Sequence, residues 1–178
     1  MQSKTKHGPR ILAVDLRPQQ FGYAVFEGPK RLLDWGVSYY RPGGKEGAAT
    51  AGRRVAEMVK VFLPSVIVVK EVRRETTHNS YGVQPILKAI RRKAAVHSIP
   101  VHLLARRDVR EAFHIFRGNT KYEIACNLTV IFPELLWKLP PKRKFYESEH
   151  PSMTTFDAIA LGFTYWQRNR TEIAPPEG

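Results

Sequence analysis

The stretch VIVVKEV, residues 66–72, restricts the fold more than any other part of the chain. Four consecutive aliphatic side chains leave no polar face, so a strand here has to be covered on both sides, which calls for a sheet packed between helices. The covering helices are legible nearby. Val55, Met58, Val59 and Phe62 fall at i, i+3, i+4 and i+7, which predicts an amphipathic helix over 48–63 that stops at Pro64. Val83, Ile86, Leu87, Ile90 and Ala94 mark a second helix, IPVHLL (99–104) a further strand, and helical patterns follow over 109–115, 122–132 and 155–167.

Ahead of this region, ILAVD (11–15), FGYAVFE (21–27) and RLLDWGVS (31–38) are short β-prone runs separated by Pro-Gln-Gln and Glu-Gly-Pro-Lys turns. They predict an antiparallel three-stranded meander. The order β-β-β-α-β-α-β-α-α-α describes an α/β protein with a mixed five-stranded sheet and helices on both faces. A chain of 178 residues without a low-complexity linker is expected to form one domain, residues 10–168, between a basic tail (1–9) and a C-terminal tail (169–178). No apolar run approaches the roughly 20 residues of a membrane span. The opening MQSKTKHGPR lacks the apolar core of a secretory signal, so the cytoplasm is the expected location. Cys126 is the only cysteine, which excludes an internal disulfide, and no cysteine–histidine cluster has zinc-site spacing. It reads as a small buried residue on the apolar face of a helix.

The net charge of +13 points to a polyanionic partner, with nucleic acid first. The cations are grouped: Lys88, Arg91, Arg92 and Lys93; Arg106, Arg107 and Arg110; Lys138, Lys142, Arg143 and Lys144. The plainer alternative is the solvated face of a basic protein.

Three carboxylates stand at element ends: Asp15 closing the first strand, Glu71 the fourth, and Asp157 opening the last helix. Converging on one sheet edge, they would supply the oxygen ligands that Mg²⁺ or Mn²⁺ needs to activate water against a phosphodiester. Each has a simpler reading. Asp15 would start a turn before Pro18, Glu71 would pair with Lys70, Arg73 or Arg74, and Asp157 would close a capping box with Thr154.

The element order is that of the ribonuclease H-like fold, and AVDLRPQQFGYAVFE resembles the first hairpin of the RuvC-like Holliday junction resolvase family. The resemblance continues through VIVVKEV, GVQPILKAIRRKA, IPVHLL, VREAFHIFRGNTKYEIACNL and FDAIALGFTYW, covering nearly all of residues 10–167. It implies Mg²⁺- or Mn²⁺-dependent cleavage of branched DNA by a homodimer, with Asp15, Glu71 and Asp157 as catalytic metal ligands. Three departures are evident. Leu16-Arg17 replaces the family's Pro-Gly, Thr154 stands where a further Asp or His is usual, and aligning on Val72 places Lys70 rather than Glu71 in the second acidic position. Glu149 or His150 is available to replace the ligand missing at Thr154.

Residues expected to hold the polymer are Arg73, Arg74, Lys88, Arg91, Arg92, Arg106, Arg107, Lys142, Arg143, Lys144 and Tyr146. In KLPPKRKFYESEH (138–150), Phe145 and Tyr146 would stack on an unpaired base or, with Trp137, pack the loop onto the core. RRETTHNSYG (73–82) would line a groove or stand as an exposed loop. Three functions follow: a metal-dependent endonuclease acting on branched DNA, a nucleic-acid-binding module of the same fold with a degenerate metal site, or a nuclease of that fold acting on RNA or simple flaps.

Overall fold

The structure, a computed structural model, describes residues 8–40, 44–72, 78–144 and 146–169. Most of the two expected tails, Arg73, Arg74 and Phe145 lie outside the described residues. The elements run β1 (Arg10–Leu16), β2 (Gln20–Glu27), β3 (Leu32–Tyr39), α1 (Gly44–Phe62), β4 (Val66–Lys70), α2 (His78–Val96), β5 (Val101–Leu104), α3 (Arg106–His114), α4 (Lys121–Ile131), a 3-10 helix (Pro133–Lys138) and α5 (Met153–Arg168).

The five strands form one sheet in the order β3-β2-β1-β4-β5. The β1–β2 and β2–β3 pairs are antiparallel, while β1–β4 and β4–β5 are parallel. This is the mixed sheet of the ribonuclease H-like fold expected from the element order. Alternation along each strand divides the core in two. Ile11, Ala13, Ala24, Phe26, Val66 and Val68 pack beneath α3, α4 and α5. Leu12, Val14, Val25, Ile67 and Val69 face α1 and α2 on the other side. The apolar run at 66–69 is therefore buried on both faces.

Two boundaries differ from the sequence expectation. Strand β4 ends at Lys70 rather than 72, because its parallel partner β5 is only four residues long and pairing stops at Lys70–Leu104. Helix α2 begins at His78, so the latter half of 73–82 is helical rather than loop. Among the described residues no helix is long and apolar enough to cross a membrane.

Helix α5 lies directly on β1 and β2, and small residues permit the approach. A Cβ built on Gly22 falls on the Thr154 carbonyl oxygen, and one built on Gly162 falls on the Phe26 ring. Gly22 is thus required by contact between helix and strand; the atom it would strike is backbone, which has little room to yield. Gly22→Ala should lower stability by about 3 kcal/mol, at the upper end for overpacking, measurable as a reduced urea midpoint. A midpoint equal to wild type would show that α5 can move away from β2 without loss.

Candidate functional site

The alternation that divides the core also selects the side chains of the site. Asp15 shares the parity of Ile11 and Ala13, so it lies under α5, where it is fully buried. Lys70 shares the parity of Val66 and Val68 and points to the same face, with Nζ 3.3 Å from Asp15 Oδ1. Glu71, one residue on, has the opposite parity and is exposed. Of the three carboxylates expected to converge, the structure brings Asp15 and Asp157 to one centre and leaves Glu71 outside it. Lys70 takes the position at the end of β4.

Arg17 joins the centre together. Its Nε donates to Asp15 Oδ2 at 3.1 Å, its Nη1 to Glu149 Oε2 at 2.8 Å and its Nη2 to Asp157 Oδ2 at 2.6 Å. Lys121 closes the other side, with Nζ 2.8 Å from Glu149 Oε1 and 2.9 Å from Asp157 Oδ2. Asp15 therefore does not initiate a turn, and Asp157 does not cap its helix. Helix α5 starts at Met153, with Ser152 before it making no side-chain cap. Thr154 is buried and its hydroxyl accepts from Gln20 Nε2 at 3.1 Å. His150 contacts Ser152 through Nδ1 at 2.7 Å and plays a local role in the loop.

Lys121 was not among the sequence candidates, although it carried a signal. It is the first residue of α4, whose start is closed by a capping box between Thr120 and Glu123. A cation there opposes the helix dipole at a modest cost, which Glu123 in the same turn and the ion pairs with Glu149 and Asp157 offset.

The protonation of these groups reflects their mutual contacts. Burial opposes the charge of Arg17, but Asp15, Glu149 and Asp157 outweigh it and raise its pKa above the ordinary value. Lys121 is raised in the same way, with Asp157 and Glu149 overcoming burial. For Glu149, burial is outweighed by Lys121 and Arg17, which pull the carboxyl down to about 2. Asp157 shifts the other way: burial and the like charge of Asp15 raise it, against the pull of Lys121 and Lys70.

The resemblance implies a divalent ion at this place, and the residues present do not fit one. Asp15, Glu149 and Asp157 are met by Arg17, Lys70 and Lys121, so three negative charges face three positive ones in direct contact. A divalent ion would have to displace these cations from the oxygens it needs and then remain beside them. Asp15 Oδ1 is buried without a hydrogen bond, its partner Lys70 being near but poorly aligned. One oxygen does not make a coordination sphere. Among the described residues, no group of three His, Cys, Asp or Glu side chains could hold a metal ion.

Cationic clefts adjoin this centre. A cavity of about 180 Å³ is lined by Lys70, Arg106, Arg110, Asn119, Lys121 and Asp157, among others. A second, of about 350 Å³, adds Lys142 and Arg143 from the loop before α5. Arg106, Lys142 and Arg143 thus border these clefts. Arg107 is largely exposed and 3.9 Å from Asp108, and Lys144 lies over the Tyr146 ring at 5.8 Å. Lys88, Arg91 and Arg92 stand on the exposed side of α2, across the sheet from the carboxylates. Trp137 and Tyr146 are 78% and 67% exposed, so these rings do not pack the loop onto the core. Cys126 is only partly buried.

No family model matches the chain, and no curated protein matches it by sequence. Solved structures do match. Thermus thermophilus RuvC in complex with a Holliday junction substrate superposes with a TM-score of 0.72 at 24% identity, covering 95% of this chain and 99% of that one. A second Thermus thermophilus RuvC structure gives 0.70 at 23%, covering 94% and 99%. The yeast mitochondrial Holliday junction resolvase Ydc2 gives 0.60 at 14%, covering 96% and 85%. At these identities the likeness establishes the fold.

The lowered Glu149 pKa gives a signed pH dependence. Above the ordinary value of 4.5 its ion pairs are complete, and their contribution to stability is lost as pH falls through about 2. Glu149→Gln should therefore melt below wild type at neutral pH, with the difference shrinking between pH 4.5 and 2. Melting curves across that range provide the check, and a difference independent of pH would exclude the ion pairs as its source.

Proposed function

We propose that this chain binds branched DNA, Holliday junctions included, and that it acts as a binding module of the ribonuclease H-like fold with a charge-compensated centre. The observation carrying the reading is the cleft beside Glu149, whose described lining sets Arg106, Arg110, Lys121, Lys142 and Arg143 against one acid, Glu149. Such a surface suits the phosphate backbone, and phosphate contacts supply most of the affinity for nucleic acid. The exposed rings of Trp137 and Tyr146, each with a lysine over it, Lys138 and Lys144, suit stacking on bases unpaired at a branch point. A protein of the same fold is known in complex with a Holliday junction, which supports this substrate class. A homodimer, as the resemblance implies, would present two such clefts to a two-fold symmetric junction.

The mechanism is one of grip. Lys142 and Arg143 project from the loop preceding α5, while Arg106 opens α3, so backbone phosphates are met from two elements. Lys121 and Arg17 remain engaged with Glu149 and Asp157, which keeps the carboxylates from repelling the approaching backbone.

One observation favours a second reading, an Mg²⁺- or Mn²⁺-dependent endonuclease. Asp15 and Asp157 still share a centre, and Asp15 Oδ1 is without a hydrogen bond. The likeness to junction resolvases supports a nuclease of that kind.

Gel-shift and cleavage assays on a four-way junction and on a linear duplex of matched length separate the two. The binding reading expects a preference for the junction in EDTA and intact DNA with either metal; cleavage abolished by Asp15→Asn would establish the nuclease instead. Lys142→Ala and Arg143→Ala should each reduce the slope of log K against log salt by about 1. Tyr146→Ala should weaken junction binding by about 1 to 2 kcal/mol, the range of a lost base stack.

A further inference from the structure

Arg17 is held in a manner that an incidental surface cation would not require. Its backbone N–H donates to the Gln20 carbonyl at 2.9 Å, closing the β1–β2 turn. Its carbonyl accepts from the buried hydroxyl of Tyr40, which also donates to the Gln20 carbonyl at 3.2 Å. The side chain then spends each of its three nitrogens on a different carboxylate, one from β1, one from the loop before α5 and one from α5 itself. A planar guanidinium is suited to such a three-way bridge because its donors are fixed in one plane and its charge is permanent. Lys70 and Lys121 add their charges from β4 and α4, so six elements or loops converge on three carboxylates and three cations.

We propose that Arg17, assisted by Lys70 and Lys121, is a built-in counter-ion occupying the place where this fold would otherwise gather a divalent metal. The centre is complete without metal, and the carboxylates become metal ligands only when the cations are removed. The assignment deepens the proposed binding function, since it accounts for a centre that holds its shape without metal, but it concerns the free protein and is tested without DNA.

The test is calorimetric titration of the full chain with Mn²⁺, reading the saturable binding that Asp15→Asn abolishes. Wild type should show none, and its melting temperature should be the same in EDTA and in millimolar Mg²⁺. Lys70→Glu, and Arg17→Met combined with Lys70→Glu, should gain saturable Asp15-dependent Mn²⁺ binding that wild type lacks. Circular dichroism identifies which variants fold; if the double variant does not, Lys70→Glu carries the comparison. Asp15-dependent binding by wild type would overturn the proposal, as would folded variants that gain none. Junction binding in EDTA, measured on the same preparation, reports on the proposed function separately: its loss would remove that reading and leave the metal result standing.

Discussion

The arrangement of the centre depends on the close seating of α5 against β1 and β2. Gly22 lets the Thr154 backbone lie on the strand, and Gly162 does the same for the Phe26 ring. With the helix this close, Asp157 comes over the end of β1, where Asp15 is already buried. Two carboxylates held near one another in a site shielded from water are costly to charge: burial first, and then the like charge of Asp15, raise the pKa of Asp157. A compensating positive charge is then a structural necessity, and the chemical nature of that charge determines what the site does.

Here the compensation comes from side chains. A buried ionic network adds little net stability compared with an apolar replacement, because desolvation offsets much of the attraction, yet deleting one member leaves a charge stranded. Such a network mainly specifies geometry. Arg17 and Lys121 tie the turn after β1 and the start of α4 to α5 and the loop before it, while Lys70 ties the end of β4 to β1. The start of α4, the loop before α5 and the first residue of α5 also line the cationic cleft, so the internal network and that cleft share part of one frame.

The core periodicity was legible because burial imposes it. The run 66–69 required a doubly covered strand, and the helical spacings at 55–62 and 83–94 supplied one cover. Asp15 and Asp157 were named, together with Glu71, from their places near element ends; Asp15 lies one residue before the end of β1 and Asp157 about one turn inside α5. Glu71 was misplaced because a shift of one residue in a strand transfers a side chain to the other face, and aliphatic side chains on both faces of 66–69 leave no polar marker of register. Lys121 escaped notice because its partners lie 28 and 36 residues away, a separation no local pattern encodes.

The amino-acid order by itself determined the strands and helices, the single sheet with helices on both faces, and the strongly positive charge, since these follow from local periodicity and composition. Tertiary structure alone decided that Lys70 rather than Glu71 meets Asp15, that Glu149 joins from a loop, and that one guanidinium bridges three carboxylates. Those outcomes depend on strand parity and on distances across the fold. Whether a cluster of acids binds metal or is neutralised by the protein's own cations is fixed by which charges come into contact.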